Sequence, residues 1–323
     1  MIFRTMHILL IYREAQFRNS MSKDIYSALK VCGYTITKMH IKKFLPACLK
    51  EYNFVIQLLE GPDKVRITQV LEGQGIPYGG NTSQAIAFCN DKMGVKEFLL
   101  SQHISTPPGF LVKTQEDLPE KIHLPFPLIV KPLDEHSSTY LLQTSVVHNK
   151  RELKRELSSY ATVKDQVIIE SFIDGQEFCV PVVGTKSPLV LPVCAVFFTK
   201  SFFGTPRFLS YEAKHGTKKK CSYQCRSFPV HNLDTKLQKR MEALALQIYQ
   251  SMDFRGYASI DMRVDQKGNI FVLDVNPNCD LAYDSDISLG AFRAGIPYSE
   301  LINLIFFDKP VTDFFDGDFF NKK

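Results

Sequence analysis

The sequence predicts an α/β fold whose later part is α+β, and three features predict it. Strand-like and helix-like segments alternate through the first eighty residues, two apolar strands joined by a tight turn lie near the end, and 45% of the 323 residues are hydrophobic against 23% charged. Alternation implies a parallel sheet with crossover helices, whereas neighbouring strands joined by a tight turn pair antiparallel. A chain of this length and composition buries a large core and fills two or three structural lobes.

The first element is "HILLIY" at 7 to 12. The opening "MIFRTMHILLIYREA" has an apolar run too short to span a bilayer and no small-residue cleavage site, so it reads as a buried strand with no targeting signal. A helix near 20 to 31, a strand "YTITKMHI" at 34 to 41, a helical "KKFLPACLKEY" and a strand "NFVIQLL" at 53 to 59 follow. No G-x-G-x-x-G comes after the first strand, which disfavours nicotinamide-dependent oxidoreduction. "GIPYGGNTS" at 75 to 83 is a turn-rich junction in which Thr82 or Ser83 is placed to cap a helical run extending to about 104.

"ISTPPGF" breaks that run. "FPLIVKP" at 126 to 132 and "QVIIESFIDGQEFCVPVVG" at 166 to 184 read as strands, the second bent at Asp174 and Gly175, with a helix at 149 to 160 between them. The apolar-poor stretch 211 to 225 reads as a long mobile loop. A helix at 234 to 251, the strands "YASIDMRV" and "NIFVLDVN", a helix near 298 to 306 and an aromatic, acidic tail "FFDGDFF" complete the chain.

The formal net charge of +5 is spread along the chain, which makes no case for nucleic-acid binding but leaves small anions open. Eight cysteines without a CxxC pair or regular spacing read as reduced thiols of a cytoplasmic protein. Cys221, Cys225 and His215 lack a fourth partner for zinc. The lysine run at 218 to 220 reads as a solvated loop face, and the aromatic tail as a segment folded back or a partner-binding patch.

Centring a tight turn on Lys267 and Gly268 pairs the two late strands so that Asp261 lies opposite Asp274. Arg263 and Asn276 then share the face of both acids, while Ile260, Val264, Phe271, Leu273 and Val275 face the core. Facing carboxylates repel unless a cation lies between them. Asp261, Asp274 and Asn276 suit Mg²⁺, which prefers one or two carboxylates with an amide, waters and phosphates; the alternative is an exposed polar face neutralised by Arg263.

Lys131 lies inside an apolar strand, where an ammonium is costly without an anion. Lys92 opens a helix after an acid, and Lys214 lies in the long loop. Singly these read as solvated lysines; with a magnesium-type acid pair they suggest a bound triphosphate. Glu170 at a strand end and Glu177 beyond a turn would suit an adenine amine and a ribose diol, or are ordinary surface acids.

The order of "GIPYGG", "NDKMGVKEFL", "ISTPPGF", "FPLIVKP", "VIIESFIDGQEFCV", "YEAK" and "SIDMRVDQKGNIFVLDVNPNCDL" ahead of "AGIPYSELI" resembles the ATP-grasp superfamily, and within it the D-alanine-D-alanine ligase-like group, from about 6 to 305. The resemblance implies an ATP-grasp fold with an N-terminal Rossmann-like lobe (1 to 82), a central lobe (83 to 173) and a C-terminal lobe (174 to 323) whose 211 to 225 loop is a lid. It implies that Lys92, Lys131 and Lys214 contact the phosphates, that Glu170 and the Ser171, Phe172 and Ile173 hinge hold adenine, and that Glu177 holds the ribose. It implies two Mg²⁺ on Asp261, Asp274 and Asn276, with Mn²⁺ as a substitute, and a homodimer. The implied reaction is ATP-dependent joining of a carboxylate and an amine, both amino-acid-like, through an acyl phosphate, with no nucleic-acid or membrane partner.

Departures from the group cluster at the phosphate-acyl end. "LDEHSSTY" keeps Ser137 and Ser138 but has no glycine and adds Asp134 and Glu135. The group's oxyanion arginine aligns with Ser259, and Arg263 on the same face is the expected substitute. The group places glutamate at Asp274 and tyrosine at His215, and "YREAQFRNS", with Glu14 and Arg18, replaces its first glycine loop. Ser285 aligns with a serine that grips the second substrate's carboxylate, yet Asp284 and Asp286 flank it and favour a cationic or neutral amine. These departures also allow a catalytically degenerate ATP-binding regulatory protein.

Overall fold

The computed structural model describes residues 6–13, 20–113, 118–133, 141–160, 166–198, 206–210, 225–230 and 232–308. A parallel sheet in the order β2-β1-β3 comprises β1 (His7–Tyr12), β2 (Thr35–His40) and β3 (Phe54–Leu58). It has helices α1 (Ser20–Val31) and α2 (Gly61–Gly73). Both faces are covered: Ile8 and Leu10 join one core and Leu9 and Ile11 another, which is why "ILLI" has no polar alternation. The segment 41 to 51 forms two short 3₁₀ turns, not the expected helix, because Pro46 lacks the donor that a continuous α-helix requires.

The helical run after the junction is likewise divided. Thr82 caps α3 (Ser83–Cys89), and Asp91 caps α4 (Lys92–Ser101) by accepting from the backbone of Met93 and Gly94 at 3.1 and 3.0 Å. An antiparallel sheet in the order β4-β7-β5-β6 follows, from β4 (Gly109–Val112), β5 (Leu128–Pro132), β6 (Val146–Val147) and β7 (Val167–Ser171). Its alternation is clean. Leu128, Val130, Val167 and Ile169 pack on α5 (Lys150–Tyr160) through Leu153 and Leu157, which leaves Ile129, Lys131 and Glu170 on the other face.

The run 166 to 184 is two strands in different sheets, because β8 (Gly175–Val183) restarts after the hinge and pairs with the late hairpin. Gly175 is required there: a Cβ would lie 1.9 Å from the Val264 carbonyl oxygen. This third sheet runs β11-β10-β8-β12-β13, with β9 (Leu189–Val190) on β8, and includes β10 (Cys194–Phe198), β11 (Cys225–Pro229), β12 (Tyr257–Asp265) and β13 (Ile270–Asn276). Helix α6 (Thr235–Ser251), capped by Asp234, packs Met241, Ala245 and Ile248 against it. Helices α7 (Asp286–Arg293) and α8 (Tyr298–Phe307) return to the first sheet, where Leu301 and Ile305 share a core with Ile8 and Leu10. Among the described residues no helix is long and apolar enough to cross a membrane.

The hairpin register holds as expected from Ser259 to Asp261 and then shifts by one residue. Asp261 pairs with Asp274, but Met262 pairs with Val272. This bulge corrects the expected core face: Ile270 and Val272, with Val275, join the core, while Phe271 and Leu273 are only half-buried.

One side chain ties the first lobe to both ends of this hairpin. Asn81, in the junction loop, donates through Nδ2 to the carbonyls of Tyr257 (2.6 Å) and Pro277 (2.8 Å), and its Oδ1 accepts from the Arg255 amide at 2.8 Å. It is 2% exposed. Asn81→Leu would leave these buried backbone groups without partners and is expected to lower unfolding stability by about 3 kcal/mol, measured by chemical denaturation.

Candidate functional site

The site lies where the four-stranded sheet meets the β12–β13 hairpin. Lys131 and Glu170 project from one face of the former, α4 brings Lys92 and Lys96, and the hairpin brings Leu273 and Asp274. Together with Cys89, Val95, Leu99, Thr106 and Val272 they line a recess. Three consecutive β13 residues, Val272, Leu273 and Asp274, line it across the bulge. The backbone of Val272 donates to the Ser105 carbonyl at 2.9 Å, joining β13 to the segment after α4.

Glu170 is buried, and each of its oxygens meets a different lysine. Oε1 is 2.6 Å from Lys96 Nζ and Oε2 is 2.7 Å from Lys131 Nζ. Burial pushes this carboxyl up, but Lys131 and Lys96 outweigh it, so the net displacement is below the usual carboxylate value and the group is ionised. Burial lowers the Lys96 ammonium, opposed by Glu170. Lys96 also donates to Thr106 Oγ1 at 2.9 Å. Sequence reasoning missed Lys96, although its spacing of one helical turn from Lys92 places both on one face of α4. Lys92 reaches the Leu133 carbonyl at 3.2 Å, at the end of β5.

Ser171, Phe172 and Ile173 form the connection from β7 to β8. Its backbone is anchored by Ser171 N–H to the Pro108 carbonyl (2.9 Å) and Phe172 N–H to the Pro127 carbonyl (3.0 Å). Glu177 is buried on β8 opposite Arg263 and pairs with it. Arg263, 2% exposed, also donates to the carbonyls of Ile173 (3.0 Å) and Arg207 (2.9 Å) and lies 5.1 Å from the centre of the Phe172 ring. Its head group is therefore held at the hinge on the β8 side of β12, whereas Asp274 is on the β13 side. Arg263 shares a strand face with Asp261 as expected, but its guanidinium clamps the hinge.

Asp261 and Asp274 are half-buried and directly opposed. Asn276, opposite Ser259, accepts from the Asn278 amide at 2.9 Å through Oδ1, which fixes its side chain as β13 ends. This set of two carboxylates and an amide fits a hard divalent cation. Among the described residues no cluster of three or more His, Cys, Asp or Glu side chains is arranged to hold a metal. Ser285 caps α7: its Oγ accepts from the Ser288 amide at 3.4 Å and donates to Ser288 Oγ at 3.2 Å. Asp286 lies in the first turn of that helix, where its charge complements the dipole.

Ser137, Ser138 and Lys214 lie outside the described residues. So do Asp134, Glu135, Glu14, Arg18, His215, Cys221, most of the expected lid and the aromatic tail.

The family described as D-ala D-ala ligase C-terminus matches residues 108–306. The D-alanine-D-alanine ligase of Aquifex aeolicus is 28% identical over 88% of this chain and 92% of its own length. An uncharacterized protein of Sinorhizobium fredii is 27% identical over 87% of this chain and 84% of its own. The crystal structure of the D-alanine-D-alanine ligase of Bacillus anthracis complexed with ATP superposes with a TM-score of 0.76 at 25% identity, covering 93% of this chain and 96% of that one. With its lysines, buried glutamate and opposed acids gathered at the meeting of two antiparallel sheets, this chain belongs to the D-alanine-D-alanine ligase family and has its ATP-grasp fold.

Proposed function

We propose that the recess holds ATP, with adenine between the hinge and Leu273, and that the opposed acids mark where its phosphates react. The reaction class comes with the family: ATP-dependent formation of an amide bond. The observation that carries the assignment of the site is the direct opposition of Asp261 and Asp274 beside a recess lined by Lys92, Lys131 and Glu170.

In this reading Glu170 accepts a hydrogen bond from the adenine amine, and the backbone of Ser171 to Ile173 meets the ring edge. Glu177, oriented by Arg263, meets the ribose. Lys92 and Lys131, joined by Lys214, neutralise phosphate charge, and Ser137 and Ser138 donate hydrogen bonds to the phosphate oxygens. Two magnesium ions, replaceable by manganese, would be held by Asp261, Asp274 and Asn276 and would supply further neutralisation at the transferring phosphoryl group. The substrate carboxylate attacks the γ-phosphorus, forming an acyl phosphate as the bond to ADP breaks. The amine then attacks the acyl carbon, phosphate leaves, and the nitrogen loses its proton.

The amine end of the site differs from a carboxylate-gripping one. Ser285 Oγ is engaged at the cap of α7, and Asp284 and Asp286 flank it. An acceptor amine without a free carboxylate suits this charge better than an amino acid. Nothing in the fold or the relatives favours the degenerate alternative.

The test is release of ADP and phosphate with magnesium and a panel of carboxylates, D-amino acids included, against amines with and without a carboxylate. Asp274→Asn is expected to cut release roughly 100-fold or more with the fold intact by circular dichroism. No release with any pair from the wild-type chain would remove the assignment.

The Glu170 carboxyl gives a second test. Its folded pKa lies below the unfolded value, so its stabilisation is present above about pH 4.5 and is lost as pH falls through the folded pKa. The melting temperature should therefore fall on acidification below about pH 4.5. Glu170→Gln should lower it at neutral pH and flatten part of that acid decline.

A further inference from the structure

We propose that Lys96 is a positioning residue for base recognition: its ammonium fixes the Glu170 carboxylate so that the site prefers a 6-amino purine to a 6-oxo purine. The proposal rests on the reading that ATP occupies the recess.

A glutamate carboxylate rotates about a bond with a broad torsional preference, so one partner leaves its plane poorly defined. Glu170 has two, on different elements: Lys96 from α4 at 2.6 Å on Oε1 and Lys131 from β5 at 2.7 Å on Oε2. Held at both oxygens, the carboxylate plane is fixed. Each oxygen retains further acceptor capacity, so the group still accepts from a ligand.

The two lysines differ in what else they can do. The Lys131 side chain is 19% exposed and suited to contact a nucleotide directly, whereas that of Lys96 is 9% exposed. Lys96 is further tethered by Thr106 Oγ1 at 2.9 Å, which sets the direction from which it meets Glu170. Burial works against its charge, yet the charge is retained opposite one carboxylate. An ammonium so enclosed acts through Glu170. A 6-amino group donates to the fixed carboxylate; a 6-oxo group presents lone pairs to the same negative oxygens and is disfavoured.

The experiment measures calorimetric binding of ATP and ITP, both with magnesium, to the wild-type chain, Lys96→Met and Thr106→Val, with melting temperatures recorded in parallel. The wild type should prefer ATP by about tenfold or more. Lys96→Met should bring the ratio to within about twofold through loss of ATP affinity, with ITP nearly unchanged. Thr106→Val, which keeps the charge but removes the tether, should reduce the ratio by about threefold; it carries the test alone if Lys96→Met does not fold. A purely structural or general electrostatic role would weaken both nucleotides equally. Equal loss, or a wild-type ratio in a folded variant, would overturn the proposal while leaving ATP binding intact. A wild-type chain that takes up neither nucleotide would overturn this proposal and the nucleotide site together.

Discussion

A carboxylate enclosed by two ammonium groups organises the recess. Glu170 comes from the four-stranded sheet, Lys131 from its neighbouring strand and Lys96 from α4. Desolvating three charges is costly, and the arrangement is favourable only because each oxygen of the acid is met at hydrogen-bond distance. The net charge of the trio is positive, so the recess suits an anion. Thr106 and the neighbouring β13 strand line the same recess.

The second constraint is the one-residue shift in the β12–β13 hairpin. Without it, strict alternation would direct Leu273 into the core and set Val272 with Asp274 and Asn276 on the opposite face. With it, an apolar side chain and an acid stand side by side at the recess while Ile270 and Val272 complete the core. One irregularity in a ladder thus sets an apolar surface beside a negative charge suited to a cation. Asn81 then fixes where the hairpin ends by holding the carbonyls of Tyr257 and Pro277, so the first lobe is coupled to the acids through backbone rather than through the acids themselves.

Arg263 illustrates how a position on a strand face leaves the role of a long side chain open. Face parity places it with Asp261, but its guanidinium extends across β8 to Glu177, Ile173 and Arg207. It stabilises the hinge and the buried Glu177, and its planar fork suits several acceptors at once. Ser285 is similar: its hydroxyl is committed to the cap of α7.

The sequence by itself determined much of this protein. Alternating strand and helix segments point to the parallel sheet, a glycine turn to the pairing of Asp261 with Asp274, and the apolar strand around Lys131 to an anion at its ammonium, because these are local features of the chain. The start of α4 at Lys92 after an acid is legible, but the end of α3 before it is less so, since no glycine or proline lies between Cys89 and Asp91. Tertiary structure alone decided the bulge, the burial of Lys96 against Glu170 and the direction of Arg263. Each depends on which distant acceptor a flexible charged chain or an extra residue meets, and desolvation makes that meeting decisive.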